Sequence, residues 1–286
     1  MSTKQLGKYE LIEELGGGGF GVVYKAQDGI GRMVALKVLK PQWAGDSEAI
    51  ARFRQEALTA GSLFHQRIAT ILDFDETDGR LFLVMRYVEG RSLEAMLEER
   101  GSLPWEEALQ VTQQVAEGLA FAHQQGLIHR DIKPGNILIG KDGAVLTDFG
   151  LVKAATASGM SRTSGVIGTP HYISPEIWRN KDISPKADVY SLACVLYEMV
   201  VGKKLFDGDS APAVMAQHCL DGARLPEVWP EGCPPELKKI LEGALNPDSE
   251  KRLELGEFVD ALSQPRATKK EPGHVLKPTT LRQTEP

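Results

Sequence analysis

The fold of this chain is decided by one stretch, His129-Arg130-Asp131-Ile132-Lys133-Pro134-Gly135-Asn136, together with Asp148-Phe149-Gly150 shortly after it. Between them lie the apolar run Ile137-Leu138-Ile139, a Lys141-Asp142-Gly143 turn and Val145-Leu146, a pattern typical of two short strands joined by a tight turn. Asp131, Asn136 and Asp148 therefore stand on loops flanked by strands. Carboxylate and amide oxygens are hard ligands that suit Mg²⁺ better than zinc, so the stretch predicts a magnesium site.

A glycine-rich segment stands far upstream, at Leu15-Gly16-Gly17-Gly18-Gly19-Phe20-Gly21-Val22-Val23. Glycines let backbone N–H groups approach phosphate oxygens closely, although a flexible turn can have the same composition. A dinucleotide-binding turn would enter a helix and reach an acidic residue about 20 positions later, whereas this segment enters a β-branched strand. A Walker loop would need Gly-Lys-Ser/Thr directly after the glycines, and the sequence lacks it.

Lys37 lies in the middle of the apolar, strand-like run Met33 to Leu39. A lysine there is costly unless it meets an anion, because a buried charge must be paired. Glu56, on the helical patch that follows, is a candidate partner. Taken alone, Lys37 also fits a solvent-facing strand lysine, and Glu56 fits a solvated helix face.

The periodicity of the chain changes near residue 89. Before it, β-forming runs surround a single amphipathic helix at about Ser47 to Ser62, whose apolar positions include Ala57 and Leu58. After it, helical spacing predominates, and the pattern predicts an α+β protein with a β-rich first part and a helical second part. The predicted strands are Tyr9–Leu15, Phe20–Ala26, Met33–Leu39, Ala69–Phe74 and Leu81–Val88, and the predicted later helices are Ser92–Arg100, Pro104–Gln125, Lys186–Val201, Ala211–Cys219, Pro235–Leu245 and Leu255–Leu262.

Composition narrows the function classes further. The 286 residues carry a net charge of −6 and are 42% hydrophobic, which excludes a wholly disordered chain and gives no support to binding duplex DNA. The three cysteines lack CxxC spacing, so we expect reduced thiols in a cytosolic compartment. The most apolar long stretch, Val189 to Val201, is too short for a membrane span of about 20 residues, and the polar N-terminus predicts no signal peptide.

Taken together, these motifs resemble the eukaryotic-like (Hanks-type) serine/threonine protein kinases, bacterial type. The glycine-rich loop, Val34-Ala35-Leu36-Lys37, the HRD…N stretch, DFG and Ser174-Pro175-Glu176 follow one another in the order of that family. The resemblance runs from about Tyr9 to Leu262. It implies a two-lobed, kinase-like α+β fold, with an N-lobe at residues 1–85, a hinge at 86–89, a C-lobe at 90–264 and a disordered tail or linker at 265–286.

The resemblance also implies roles for individual residues. Asp131 would accept the proton of the incoming hydroxyl, and Lys133 would steady the transferred phosphate; both are the expected catalytic residues. Asn136 and Asp148 would bind the metal, Mg²⁺ with Mn²⁺ as an alternative. The residues expected to contact ATP are Leu15, Gly16, Gly17, Gly18, Gly19, Phe20, Gly21, Val22, Val23, Ala35, Lys37, Glu56, Met85, Tyr87, Val88 and Leu138.

Supporting contacts are implied as well. Glu176 is expected to pair with Arg252. Asp188 is expected to anchor the backbone of residues 129–136, hereafter the catalytic loop. Arg130 would meet a phosphate on the segment between Asp148 and Glu176, for which Thr163 is the first candidate and Ser161 the second. Related hinges often carry Glu at the place of Arg86, and because the adenine bonds there come from backbone groups, little effect on ATP is expected.

The implied activity is transfer of the ATP γ-phosphate to Ser or Thr hydroxyls of proteins, with autophosphorylation and self-association for it in trans. A cytoplasmic enzyme, or the cytosolic part of a longer membrane receptor, fits this reading, with no nucleic acid as partner. One alternative is a pseudokinase scaffold, which should lack Lys37, Asp131, Asn136 or Asp148, yet all four are present. Another is a small-molecule kinase, which would lack the Gly168-Thr169-Pro170 to Glu176 segment.

Overall fold

A computed structural model describes residues 4–17, 21–40, 47–149 and 170–263 of the chain. The described part begins with a β-rich region and continues as a mainly helical one. The strands are β1 Lys4–Leu6, β2 Tyr9–Gly17, β3 Gly21–Gln27, β4 Met33–Leu39, β5 Ile71–Thr77, β6 Arg80–Arg86, β7 Gly90–Ser92, β8 Ile137–Gly140 and β9 Gly143–Leu146. The α-helices are α1 Ser47–Gly61, α2 Leu93–Arg100, α3 Trp105–Gln124, α4 Pro175–Trp178, α5 Lys186–Val201, α6 Ala211–Ala216, α7 Leu237–Ala244 and α8 Leu255–Ser263.

The first six strands form one antiparallel sheet in the order β1-β2-β3-β4-β6-β5. Successive side chains on a strand point to opposite faces, so the sheet has two distinct surfaces. One surface is the core of this region. Its buried members are Leu6, Tyr9, Ala26, Val34, Leu36, Phe82 and Val84. The other surface carries the alternate residues of β3, β4 and β6, among them Lys37.

Helix α5 lies at the centre of the helical region, and nearly all of its side chains are buried. An apolar pattern all around a helix is expected when neighbouring elements cover it on every side. Helices α3, α7 and α8 contact α5, and the hairpin of β8 and β9 contacts α3 through β9. This packing fixes the hairpin whose two ends lead out of Asn136 and into Asp148.

The secondary structure predicted from periodicity is confirmed most closely at β4 and α5, whose bounds are those expected. One prediction is wrong: Leu58 was expected on the apolar face of α1, yet its side chain is 65% exposed. Ala57, beside it in the sequence, is buried, so the buried stripe of α1 is narrower than the apolar pattern suggests. The short elements β1 and α4 were not predicted. Residues 264–286, including the expected tail, lie outside the described residues.

The expected pairing of Glu176 with Arg252 is confirmed. Two guanidinium nitrogens of Arg252 donate to the two carboxylate oxygens of Glu176, at 2.6 and 2.9 Å. The same guanidinium donates to the backbone carbonyls of Lys186 and Asn246 and lies over the Tyr190 ring, 4.9 Å from its centroid. Burial would raise the pKa of Glu176, but Arg252 outweighs it and holds that pKa below its ordinary value.

In the described helices, none combines the length and apolarity required to cross a membrane.

Removing one partner of the Glu176–Arg252 ion pair should destabilise the fold strongly, because the other charge would stay buried without compensation. We expect Arg252→Met and Glu176→Gln each to lower the free energy of unfolding by about 3–5 kcal/mol, measured by urea denaturation. The control is Arg91→Met, which breaks the exposed pair of Arg91 with Glu99 and should cost less than about 1 kcal/mol. Equal losses in the buried and exposed pairs would contradict this account.

Candidate active site

The catalytic loop holds Asp131 from two sides. The Lys133 ammonium donates to Asp131 Oδ2 at 2.8 Å, and the Asn136 amide donates to the same oxygen at 2.8 Å. Asn136 also donates to the backbone carbonyl of Asp131 at 2.8 Å. Because Pro134–Asn136 forms a 3₁₀ turn, the chain folds back and brings Asn136 to the carboxylate five positions before it. The loop therefore fixes one Asp131 carboxylate oxygen beside a cation and an amide.

Asp188 anchors the backbone of this loop from α5, as predicted. Its two carboxylate oxygens accept the N–H groups of His129 and Arg130 at 2.9 and 2.8 Å, and Oδ2 also lies 2.7 Å from Nε2 of His123. Arg130 has a φ of 68°, in the left-handed region that most residues avoid. The buried Asp188 carboxylate is thus a structural reason why the loop keeps this turn immediately before Asp131.

Lys37 and Asp148 form an ion pair between the two regions of the protein. Lys37 Nζ lies 2.7 Å from Asp148 Oδ2, and the lysine is only 6% exposed. Burial alone would raise the pKa of Asp148, but the Lys37 ammonium outweighs it, so the pKa lies below the ordinary value. Asp148 is therefore a carboxylate at neutral pH. The strand lysine, ambiguous in the sequence, is a buried and paired residue.

Strand register places several expected ATP contacts on one surface of the first sheet. Val23 is paired with Lys37 across β3 and β4, and Ala35 is paired with Met85 across β4 and β6. Directly opposed residues share a face of the sheet, and Ala35 and Lys37 are two positions apart on one strand. An apolar surface of Val23, Ala35 and Met85 therefore lies beside the Lys37 ammonium, as an adenine next to its phosphates would require.

The remaining expected ATP contacts border this surface. Gly16 and Gly17 end β2 and pair with Val23 and Val22, and Leu15 is exposed. At Gly21 a Cβ atom would lie 2.1 Å from the backbone oxygen of Val38, so only glycine fits there. Tyr87 and Val88 are partly exposed after β6, and Leu138 lies on β8. Gly18, Gly19, Phe20 and the side chain of Glu56 lie outside the described residues.

The donor set fits a hard divalent cation. Asn136 uses its amide nitrogen for Asp131, which leaves its amide oxygen able to coordinate a cation. Asp148 uses Oδ2 for Lys37 and keeps a second carboxylate oxygen. Within the described ranges no cluster of three His, Cys, Asp or Glu side chains could hold a metal. Two protein oxygens suffice for Mg²⁺, which usually keeps several waters and binds substrate phosphates.

Two contacts in the site were not predicted from the sequence. The His129 ring lies 4.4 Å from the Phe149 ring, centroid to centroid, and its Nε2 lies 2.8 Å from the carbonyl oxygen of Thr147. His129 thus links the catalytic loop to the residues around Asp148. The sequence does place both rings inside the two quoted motifs, within two positions of Asp131 and Asp148.

Arg130 is the cation for which a phosphate partner is expected. Within the part of the chain that the structure describes, its buried Nε has no hydrogen-bond partner, although such a group is costly to leave unsatisfied. Ser161 and Thr163, the expected phosphorylation sites, lie outside the described residues.

Known protein families and proteins include relatives of this chain. The model of the protein kinase domain family matches residues 9–263. The chain is 41% identical over 274 residues to the serine/threonine-protein kinase PknA of Mycobacterium tuberculosis, covering 93% of this chain and 63% of PknA. It is 38% identical over 257 residues to the serine/threonine-protein kinase PrkC of Bacillus subtilis, covering 89% of this chain and 40% of PrkC. The chain therefore spans less than two thirds of the length of these relatives.

Solved structures give the same result. The crystal structure of the Mycobacterium tuberculosis PknI kinase domain, as a double mutant, superposes with a TM-score of 0.75 at 29% identity. The match covers 92% of this chain and 97% of that one. The two-lobed kinase fold expected from the motifs is thereby confirmed. The chain belongs to the protein kinase family and is a serine/threonine kinase domain of the bacterial Hanks type.

Proposed function

We propose that this chain transfers the γ-phosphoryl group of ATP to Ser or Thr hydroxyls of proteins at Asp131. The observation that carries the proposal is the pair of direct contacts that join Lys37 to Asp148 and Asn136 to Asp131. Lys37 and Asp148 pair across the two regions. Thr147, the residue before Asp148, donates its N–H to the Asn136 carbonyl at 3.0 Å. This hydrogen bond links the chain at Asp148 to the catalytic loop. The four groups together supply a phosphate-binding cation, two metal ligands and a base.

Binding is assigned as follows. The adenine lies on the surface of Val23, Ala35 and Met85, and the backbone of residues 86–88 supplies its hydrogen bonds. The glycine-rich loop covers the phosphates, and Lys37 holds the α- and β-phosphates. Asn136 and Asp148 hold Mg²⁺, or Mn²⁺ in its place, which when bound neutralises charge on the phosphate oxygens.

The chemical step follows from the fixed groups. The Asp131 carboxylate accepts the proton of the substrate hydroxyl, whose oxygen forms a bond to the γ-phosphorus while the bond to the β–γ bridging oxygen breaks and ADP leaves. Lys133, already 2.8 Å from Asp131, neutralises charge on the transferred group. Such a loose transition state depends mainly on positioning and charge stabilisation, which is what the hydrogen bonds around Asp131 provide.

Arg130 supports a further part of the proposal, autophosphorylation at Thr163 or Ser161. A phosphate adds about −1.5 to −2 charge and would satisfy the buried guanidinium nitrogen that has no partner among the described residues. We also propose that two copies associate for this transfer in trans. The expected location is the cytoplasm, where ATP is available, either in a free enzyme or in the cytosolic part of a longer membrane receptor.

The residue boundaries of the parts are also proposals. We assign residues 1–85 to the N-lobe, 86–89 to the hinge and 90–264 to the C-lobe. These bounds are supported by the end of β6 at Arg86 and by β7, which pairs with β8 of the helical region rather than with the first sheet.

Replacing the base tests the chemical step. Asp131→Asn keeps the shape of the side chain and removes the carboxylate, so we expect phosphate transfer from labelled ATP to a generic basic protein to fall about 10²–10⁴-fold. ATP binding, measured by calorimetry, should persist. The matched control is Asp142→Asn, the same change on the exposed turn between β8 and β9, which should leave transfer unchanged.

An Asp131→Asn variant that transfers phosphate at the native rate would contradict the assigned role. A native chain that binds ATP without transferring phosphate, even with Mg²⁺ and a protein acceptor, would instead indicate a binding scaffold.

Autophosphorylation is tested by mapping phosphate on the active protein. We expect the phosphate on Thr163 or Ser161, and we expect Thr163→Ala with Ser161→Ala to lower transfer to an added protein about tenfold or more. Arg130→Gln should cause little further loss in that background, because the phosphate that it would bind is already missing. Thr156→Ala, in the same segment, is the control. Full activity of a protein whose whole segment is unphosphorylated would disprove this proposal.

A further inference from the structure

Arg86 fastens the start of the hinge to the segment that connects α1 with β5, residues 62–70 and hereafter the connecting segment. Its Nη2 donates to the carbonyls of Gln66 and Ile68 at 3.1 and 2.9 Å. Its backbone N–H donates to the Thr70 carbonyl at 2.9 Å. Both the main chain and the side chain of this one residue are therefore bonded to the connecting segment.

The connecting segment is held equally firmly on its other side. Arg67 Nε lies 3.1 Å from Glu117 Oε2 on α3, and Arg67 Nη1 donates to the carbonyl of Asp142 at 2.6 Å. The His65 ring stacks on that of Phe121, also on α3, at 5.0 Å between centroids. Unlike most arginines on a surface, Arg67 is largely covered, with 14% of its side chain exposed. The segment is thus tied to the helical region as well as to the hinge.

Backbone hydrogen bonds extend this connection towards the metal ligand. The Leu146 N–H donates to the Arg67 carbonyl at 2.8 Å, and the Ala69 N–H donates to the Leu146 carbonyl at 2.8 Å. Leu146 is the last residue of β9, two positions before Asp148. The connecting segment is therefore a shared support for the hinge on one side and for the approach to Asp148 on the other.

The chemistry of this contact requires a donor at position 86. A carbonyl oxygen only accepts hydrogen bonds, and a guanidinium only donates them. Glutamate, the residue that related hinges often carry, would place a carboxylate against two carbonyl oxygens. The contact of Arg86 with the Gln66 and Ile68 carbonyls therefore depends on the guanidinium.

We infer that Arg86 is a positioning residue for nucleotide binding, which fixes the hinge backbone against the connecting segment before ATP arrives. The inference rests on the ATP-binding role proposed above. It revises the expectation that the residue at position 86 has little effect on ATP binding. The backbone groups of the hinge bind adenine well only when the hinge is held in place. Without the hydrogen bonds of Arg86, ATP binding would have to order the hinge, which costs free energy. The chemical groups at Asp131 would be unaffected.

The test compares ATP affinity with turnover. Arg86→Met keeps the length of the side chain and removes its donors, so we expect the ATP dissociation constant, with Mg²⁺ present, to rise about three- to tenfold. The kcat at saturating ATP should stay within about twofold, because only binding includes the ordering of the hinge. Arg86→Lys should recover part of the affinity, because an ammonium still donates, and Arg86→Glu should bind ATP more weakly than Arg86→Met.

The control is Arg80→Met, at the other, exposed end of β6, which should not change ATP affinity. Thermal unfolding of each variant separates a loss of affinity from a loss of folded protein. An Arg86→Met protein that is folded and binds ATP as tightly as the native chain would overturn the inference. A native chain that binds no ATP would instead overturn the proposed function.

A second comparison tests whether Arg86 acts through the connecting segment. Arg67→Met loosens the same segment from its other side, so Arg86→Met should weaken ATP binding less in that background than in the native chain. Equal effects in both backgrounds would overturn the route through the segment.

Discussion

The ion pair between Lys37 and Asp148 is the interaction on which the site depends. Lys37 belongs to the first sheet, and Asp148 follows a hairpin of the helical region, 111 positions later in the chain. An ammonium with 6% exposure would be unstable in an apolar strand without a nearby anion. The pair therefore satisfies the strand lysine and brings the proposed adenine-binding surface of the sheet to the proposed metal ligands. Every later assignment uses the groups that this contact brings together.

The catalytic loop is likewise held by charged and polar side chains in fixed positions. Asp188, buried in the central helix, holds the loop backbone by two N–H groups, and Lys133 and Asn136 hold the Asp131 carboxylate. Groups that are already in place do not have to reorganise when charge develops in the reaction. The same packed helix α5 also lies next to the Glu176–Arg252 pair, since the Lys186 carbonyl at its first residue accepts from Arg252. The structural supports and the candidate site thus share one element.

Much of this arrangement could be predicted from the sequence, and the successes have a common cause. Strand β4 and helix α5 have long, uniform apolar patterns, and their bounds were predicted correctly. The pairing of Glu176 with Arg252 and the anchoring by Asp188 followed from motifs whose members lie far apart in the chain. The exposure of Leu58 was missed because a helical pattern indicates only which face of the helix is buried. How wide the buried stripe is depends on the elements that pack against the helix. The contact of Arg86 with two carbonyls was missed because every residue has a backbone carbonyl, so the sequence does not indicate which of them accept hydrogen bonds.

The most direct test of the central claim is the metal dependence of ATP binding in Asp148→Asn. If Asp148 both pairs with Lys37 and holds Mg²⁺, then adding Mg²⁺ should strengthen ATP binding to the native chain and should do so far less in the variant. Calorimetric titration with ATP, in Mg²⁺ and in chelator, gives the ratio of the two affinities for each protein. An Asp148→Asn protein that is folded and shows the native ratio would contradict the assignment of the metal site, and with it the proposed role of the contact between Lys37 and Asp148.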